Sequence, residues 1–197
     1  MTSQDRDRVL ALSLQLAQAH DELRGRIRLL RASLGERRRS RVLAEPSTPD
    51  ATLGERRRSR VLAEPSTPDA TPGERADGAT LVAHCLAFCA ALTSHHRGED
   101  TGMFADLLRV RPDLAGTVSK LVEDHELVSS ILSRIAELAD DATRSHGTAL
   151  EAIGRELDGL AALMESHFAY EQRAIGGALD TAARDTTWHD TVFRFLC

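Results

Sequence analysis

The segment "LVAHCLAFCAALTSHHRGEDTGMF", Leu81 to Phe104, decides how the chain is read. Leu81, Cys85, Phe88, Leu92, His95, Glu99 and Met103 recur every three or four residues, the period of one face of a helix. The first four positions are apolar, as packing on a core requires. The next two are an imidazole and a carboxylate on that same face. A carboxylate inside such a seam is costly without a compensating charge. The stretch therefore predicts a core helix and, within that core, something polar that needs a cation.

Three further seams lie on either side. The first carries Val9, Leu16, Leu23 and Leu30, interleaved with Ser13, His20, Ile27 and Leu34. The third starts near Pro112, a residue favoured in a first helical turn, and runs through Leu114, Val118, Leu121, His125, Val128, Leu132 and Ile135. The fourth starts near Thr148 and carries Ile153, Leu157, Leu160, Met164, His167, Glu171 and Ala174, with Gly176–Gly177 expected to weaken or end it. Four long amphipathic helices predict an all-α, up-and-down four-helix bundle.

Each seam holds one histidine: His20, His95, His125 and His167. One histidine on an apolar face is ordinarily a satisfied core residue; four, one per helix, point to a site. Two of them have a glutamate four residues on, His95 with Glu99 and His167 with Glu171, which sets each pair one turn apart on one face. Height along the bundle agrees. His95 lies 17 residues before Pro112 and His125 lies 13 after it, so both sit roughly 20–25 Å from the shared turn at about 1.5 Å per residue. Imidazole and carboxylate without thiolate suit iron, manganese or zinc, and a pair of ions would offset the two carboxylates. The Glu-x-x-His signature of ferritin-like di-iron bundles is absent, since Val122 and Met164 stand three residues before His125 and His167.

The order His-x-x-x-Glu, with "AHDEL" at Ala19–Leu23, "HHRGEDTGMF" at His95–Phe104, "EDHELV" at Glu123–Val128 and "SHFAYEQ" at Ser166–Gln172, resembles the hemerythrin-like (HHE cation-binding) family. The resemblance implies a non-haem site of two iron ions inside the bundle. Carried over by position, it makes His20, His95, Glu99, His125, His167 and Glu171 the metal ligands, with Glu99 and Glu171 bridging. It implies binding of, or reaction with, dioxygen, peroxide or nitric oxide, in stress response or sensing. An enzymatic version would disproportionate peroxide.

Two departures bear on this. Oxygen-carrying members have a second histidine one turn after the third-helix ligand, where this chain has Ser129, and they space the last carboxylate five residues from its histidine rather than four. A lost imidazole opens a coordination position and favours peroxide or redox chemistry, or sensing, over simple oxygen carriage. Three neighbours bear on the site as well. His96, rotated about 100° from His95, is read first as a rim residue and second as a substitute ligand. Tyr170 is read as packing before hydrogen bonding or iron binding. Asp100, one turn after His96, is expected to hold that imidazole.

The remaining features set the context. A 19-residue repeat, "LGERRRSRVLAEPSTPDAT", occupies Leu34–Thr52 and recurs unchanged at Leu53–Thr71. Its Pro/Ser/Thr half-copies read as a duplicated linker over 35–76, within a bundle spanning 1–180. The segment 181–197, with Trp188, Val192, Phe193 and Leu196, reads as an amphipathic cap. A net charge of −5 argues against general nucleic-acid binding, and no long apolar run predicts a membrane span. Cys85 and Cys89 read as core fillers, and three cysteines without zinc-like spacing suit a reducing cytoplasm. His84, His146 and His189 fall outside the expected layer. The rival reading is a metal-free or zinc-binding helical module for protein interaction.

Overall fold

A computed structural model describes residues 11–44, 72–144, 148–181 and 188–194. Four long rods form the bundle. The first is α1 (Leu12–Ala44). The second is α2 (Pro72–Gly98), continued by a π-helical turn (Glu99–Met103) and α3 (Phe104–Val110). The third is a 3₁₀ turn (Pro112–Leu114) leading into α4 (Ala115–Arg144), and the fourth is α5 (Thr148–Leu179). A five-residue helix, α6 (His189–Phe193), follows. Each long helix packs against its two neighbours around the ring α1, α2, α4, α5. No strand occurs among the described residues, and no described helix is long and apolar enough to cross a membrane.

The boundaries follow local chemistry. Arg111, held extended at φ −130° by the following Pro112, separates the second rod from the third. Pro72 opens α2, where its missing N–H costs nothing. The main-chain N–H of Ser13 and its hydroxyl both donate to the Asp180 carboxylate, at 3.0 and 2.8 Å, which satisfies an orphan donor at the start of α1. Both helices flanking the repeat run into the expected linker: α1 continues to Ala44 through the helix-favouring "LGERRRSRVLA" of the first copy. The rest of the repeat, with Val9, His146 and Leu196, lies outside the described residues.

The expected break at Gly176–Gly177 does not occur, and α5 runs on to Leu179. Ile175, Ala178 and Leu179 are buried around the pair. A Cβ on Gly176 would lie 3.6 Å from the Ser13 Cβ of α1, so the glycine sits where α1 and α5 approach closely. Burial of three neighbours outweighs about 1 kcal/mol of poor glycine propensity.

The core is in two parts. One cluster includes Leu23, Ile27, Leu92, Val128, Ile135, Leu157, Met164 and Phe168. The other includes Leu16, Met103, Phe104, Leu107, Leu121, Ile175 and Val192. Along every rod the histidine stands between a residue of one cluster and a residue of the other: Leu16 and Leu23 flank His20, Leu92 and Met103 flank His95, Leu121 and Val128 flank His125, Met164 and Ile175 flank His167. A polar layer therefore separates two apolar halves. Cys85 and Cys89 are free and buried as core fillers, and burial pushes their thiols up to about 11 and about 12.

Candidate metal centre

All six ligands expected from the sequence meet in this layer. His20, His95, His125, His167, Glu99 and Glu171 are each at most 4% exposed. The imidazoles converge in pairs by their Nε2 atoms, His20 to His95 at 3.1 Å and His125 to His167 at 3.0 Å. Each glutamate reaches across from one pair to the other. Glu99 oxygens lie 3.1 Å from His95 Nε2 and 3.5 Å from His125 Nε2. Glu171 Oε2 lies 3.3 Å from His20 Nε2 and 3.6 Å from His167 Nε2.

The outer ring nitrogens determine what those inner nitrogens carry. His95 Nδ1 lies 2.9 Å from the main-chain carbonyl of Val192, an acceptor only, so Nδ1 carries the proton. His125 Nδ1 lies 2.7 Å from Asp100 and His167 Nδ1 3.3 Å from Asp124, which fixes the same tautomer. The Gln172 side-chain amide N–H, by contrast, donates to His20 Nδ1 at 3.1 Å. In the Nδ1–H tautomer the Nε2 lone pairs of His125 and His167 point at one another across 3.0 Å. Both oxygens of Glu99, both of Glu171 and His96 Nε2 are buried without a hydrogen-bond partner. Lone pairs and carboxyl oxygens turned inward in this way fit a cation. Two groups have ligand atoms mutually within 4.8 Å, one of His20, His95 and Glu99, the other of His96, His125 and His167.

The hemerythrin HHE cation-binding domain matches the sequence over residues 12–179. The chain belongs to that family. No curated protein and no solved structure matches it.

In this hemerythrin-like layer burial dominates the electrostatics. Burial lowers the pKa of His95 to about 3, lowers that of His167, and takes those of His20 and His96 well below the ordinary imidazole value. Burial, and then the neighbouring Glu171, raises the Glu99 carboxyl well above the usual range. Aromatic rings enclose the layer. Phe168 stacks on His20 with ring centres 3.8 Å apart, and Phe104 lies against His125 at 5.8 Å.

Two secondary expectations, for His96 and Asp100, turn out differently, and the one for Tyr170 does not. His96 is not on the rim: it is 5% exposed and stacks on His125 at 3.9 Å. Because α2 lies between α1 and α4, its inward arc is wide enough for consecutive residues, so His95 and His96 are both buried. Asp100 holds His125 rather than His96, since the π turn beginning at Glu99 breaks the four-residue register with His96 and carries Asp100 to α4. Tyr170 packs, partly buried, against the second apolar cluster. Ser129 is exposed and His84 is exposed. Asp124, Gln172 and the Val192 carbonyl escaped the sequence reading. The first two are ordinary polar residues beside ligands, and a main-chain carbonyl has no residue signature at all.

Proposed function

We propose that this hemerythrin-like chain holds two non-haem iron ions and binds or reacts with dioxygen, peroxide or nitric oxide. The observation that carries this reading is the pairing of inward Nε2 atoms joined by two buried, unpartnered carboxylates. In it, His20 and His95 serve one ion, His125, His167 and His96 the other, and Glu99 and Glu171 serve both. Iron, when bound, supplies an open coordination position and one-electron chemistry. Asp100, Asp124 and Val192 hold the imidazoles in the metal-facing tautomer, and the phenyl rings of Phe104 and Phe168 restrict water. Three imidazoles would hold one ion and two the other, which would leave more room for a small molecule on the His20/His95 side. A cytoplasmic setting in oxidative or nitrosative stress suits this chemistry and the free thiols of Cys85 and Cys89.

Metal content and an absorption spectrum, measured on protein made with iron supplied, test the proposal. About two irons per chain with near-ultraviolet oxo-to-iron bands are expected, and the bands should respond to peroxide, dioxygen or nitric oxide. Peroxide consumption with oxygen release would mark an enzyme; reversible spectral change would mark a carrier or sensor. The variant His96→Leu should keep the fold and shift the spectrum or lower the stoichiometry. Zinc or no metal, with no colour after anaerobic iron loading, would leave the interaction module in its place.

A further inference from the structure

The family match ends at residue 179, yet one atom that sets the layer lies beyond it. The segment Trp188–Arg194 crosses the face formed by α1 and α2 and touches the π turn. Three anchors hold it. The Trp188 indole N–H donates to Asp106 of α3 at 2.8 Å. His189 Nε2 lies 2.7 Å from the Gln15 side-chain oxygen of α1. The Val192 carbonyl meets His95 Nδ1 at 2.9 Å. Trp188 is 6% exposed and Val192 is fully buried, so the segment is seated rather than laid on the surface.

The bundle is shaped to receive it. A Cβ on Gly102 would lie 2.5 Å from the Trp188 Cβ, and one on Gly98 would lie 2.8 Å from a Val192 methyl. Both glycines flank Glu99, at the turn where the rod widens. Any side chain at either place would displace the segment and remove the acceptor from His95. An imidazole without a fixed Nδ1 partner exchanges its proton between its two nitrogens, and for part of the time its Nε2 is blocked by hydrogen.

We propose that the C-terminal segment is a working part of the metal site, with the Val192 carbonyl as the positioning group that fixes His95 in its metal-binding tautomer. This rests on reading the layer as a metal site. The segment acts on the His20/His95 half and leaves the His125/His167 half, whose outer nitrogens are held by Asp100 and Asp124, to bind metal unaided.

The test uses the full chain carrying Trp188→Ser together with Val192→Ser, which removes the apolar seat. Val192→Ala serves as the conservative control, since it keeps the carbonyl. Nitrogen-15 NMR of the metal-free protein reads the tautomer directly. His95 should be the Nδ1–H form in the unchanged chain and in Val192→Ala, and a mixture in the double variant. Titration with Co(II) should then show two equivalents bound by the unchanged chain. The double variant should keep one of them and lose about 10–100-fold in affinity for the second, the usual cost of a lost outer partner. An unchanged tautomer and two unchanged equivalents in the double variant would overturn the proposal and leave the segment as packing. Should the double variant lose its helical circular dichroism, Trp188→Ser alone is read by the same two measurements. If the unchanged chain takes up no Co(II), the metal reading fails, while the tautomer measurement still decides what Val192 does.

Discussion

A carboxylate with no exposed surface and no hydrogen bond is the least comfortable group a folded chain can hold, and Glu99 is one. In the metal-free protein it works against the histidines as pH changes. The buried imidazoles of His20, His95, His96 and His167 refuse protons that the unfolded chain takes up near 6.5, and His95 does so down to about 3. Acidification below about 6.5 therefore favours the unfolded state. Glu99 has the opposite sign, because the folded carboxyl keeps a proton that the unfolded one loses near 4.5, so its penalty grows as pH rises above that value. Coordination removes both penalties. Thermal unfolding of chelated protein should thus fall in midpoint as pH drops from 6.5 towards 4. The variant Glu99→Gln should raise metal-free stability at neutral pH by about 1–3 kcal/mol and abolish the rise on adding metal. Equal melting of chelated wild type and chelated Glu99→Gln would show that burying this carboxyl group costs nothing, and the argument for a cation would lose its basis.

At the scale of elements, the second rod carries most of what the site depends on. Its π turn hydrogen-bonds the Phe104 N–H back to the Glu99 carbonyl, five residues rather than four, and π turns recur at functional positions. Gly102 sits in that turn under Trp188. Changing Gly102→Ala would ordinarily favour a helix, but here the added methyl meets the root of the indole at 2.5 Å. We expect a net loss of about 1–2 kcal/mol in denaturant unfolding, and little further loss from Gly102→Ala in a Trp188→Gly background, which lacks the clashing Cβ, since the pair shares one contact. Additive effects of the two changes would deny that contact. Seam periodicity made the four rods, their order and the six layer residues legible in the sequence, because burial imposes a period that apolar and ligand positions share. It did not show the π turn, because one extra residue per turn leaves no compositional mark. It also misjudged His96, because a single-stripe reading underestimates the arc that a helix between two neighbours buries. Gly176–Gly177 misled for the converse reason: local propensity signalled a stop that packing against Ser13 overrides.

For the whole molecule, the layer is where histidines from all four rods meet, and it lies between two apolar clusters. Without a cation, facing lone pairs and buried carboxyl groups make this layer costly to fold. With one, the same atoms tie α1, α2, α4 and α5 together. Binding to the folded state alone stabilises by about 4 kcal/mol per site when free metal exceeds Kd a thousandfold. For a chain of this size that corresponds to a rise of roughly 8–16 °C in Tm. The distribution of the gain tests the architecture more sharply than its size. A metal held by one helix pair would slow hydrogen exchange in that pair. A metal layer joining all four rods should slow it around His20, His95, His125 and His167 together, and should carry protection into both apolar clusters. Hydrogen exchange followed by mass spectrometry, on chelated and metal-loaded protein, distinguishes these outcomes. Protection confined to α4 and α5 would mean that the two halves of the layer act separately and that Glu99 and Glu171 do not couple them.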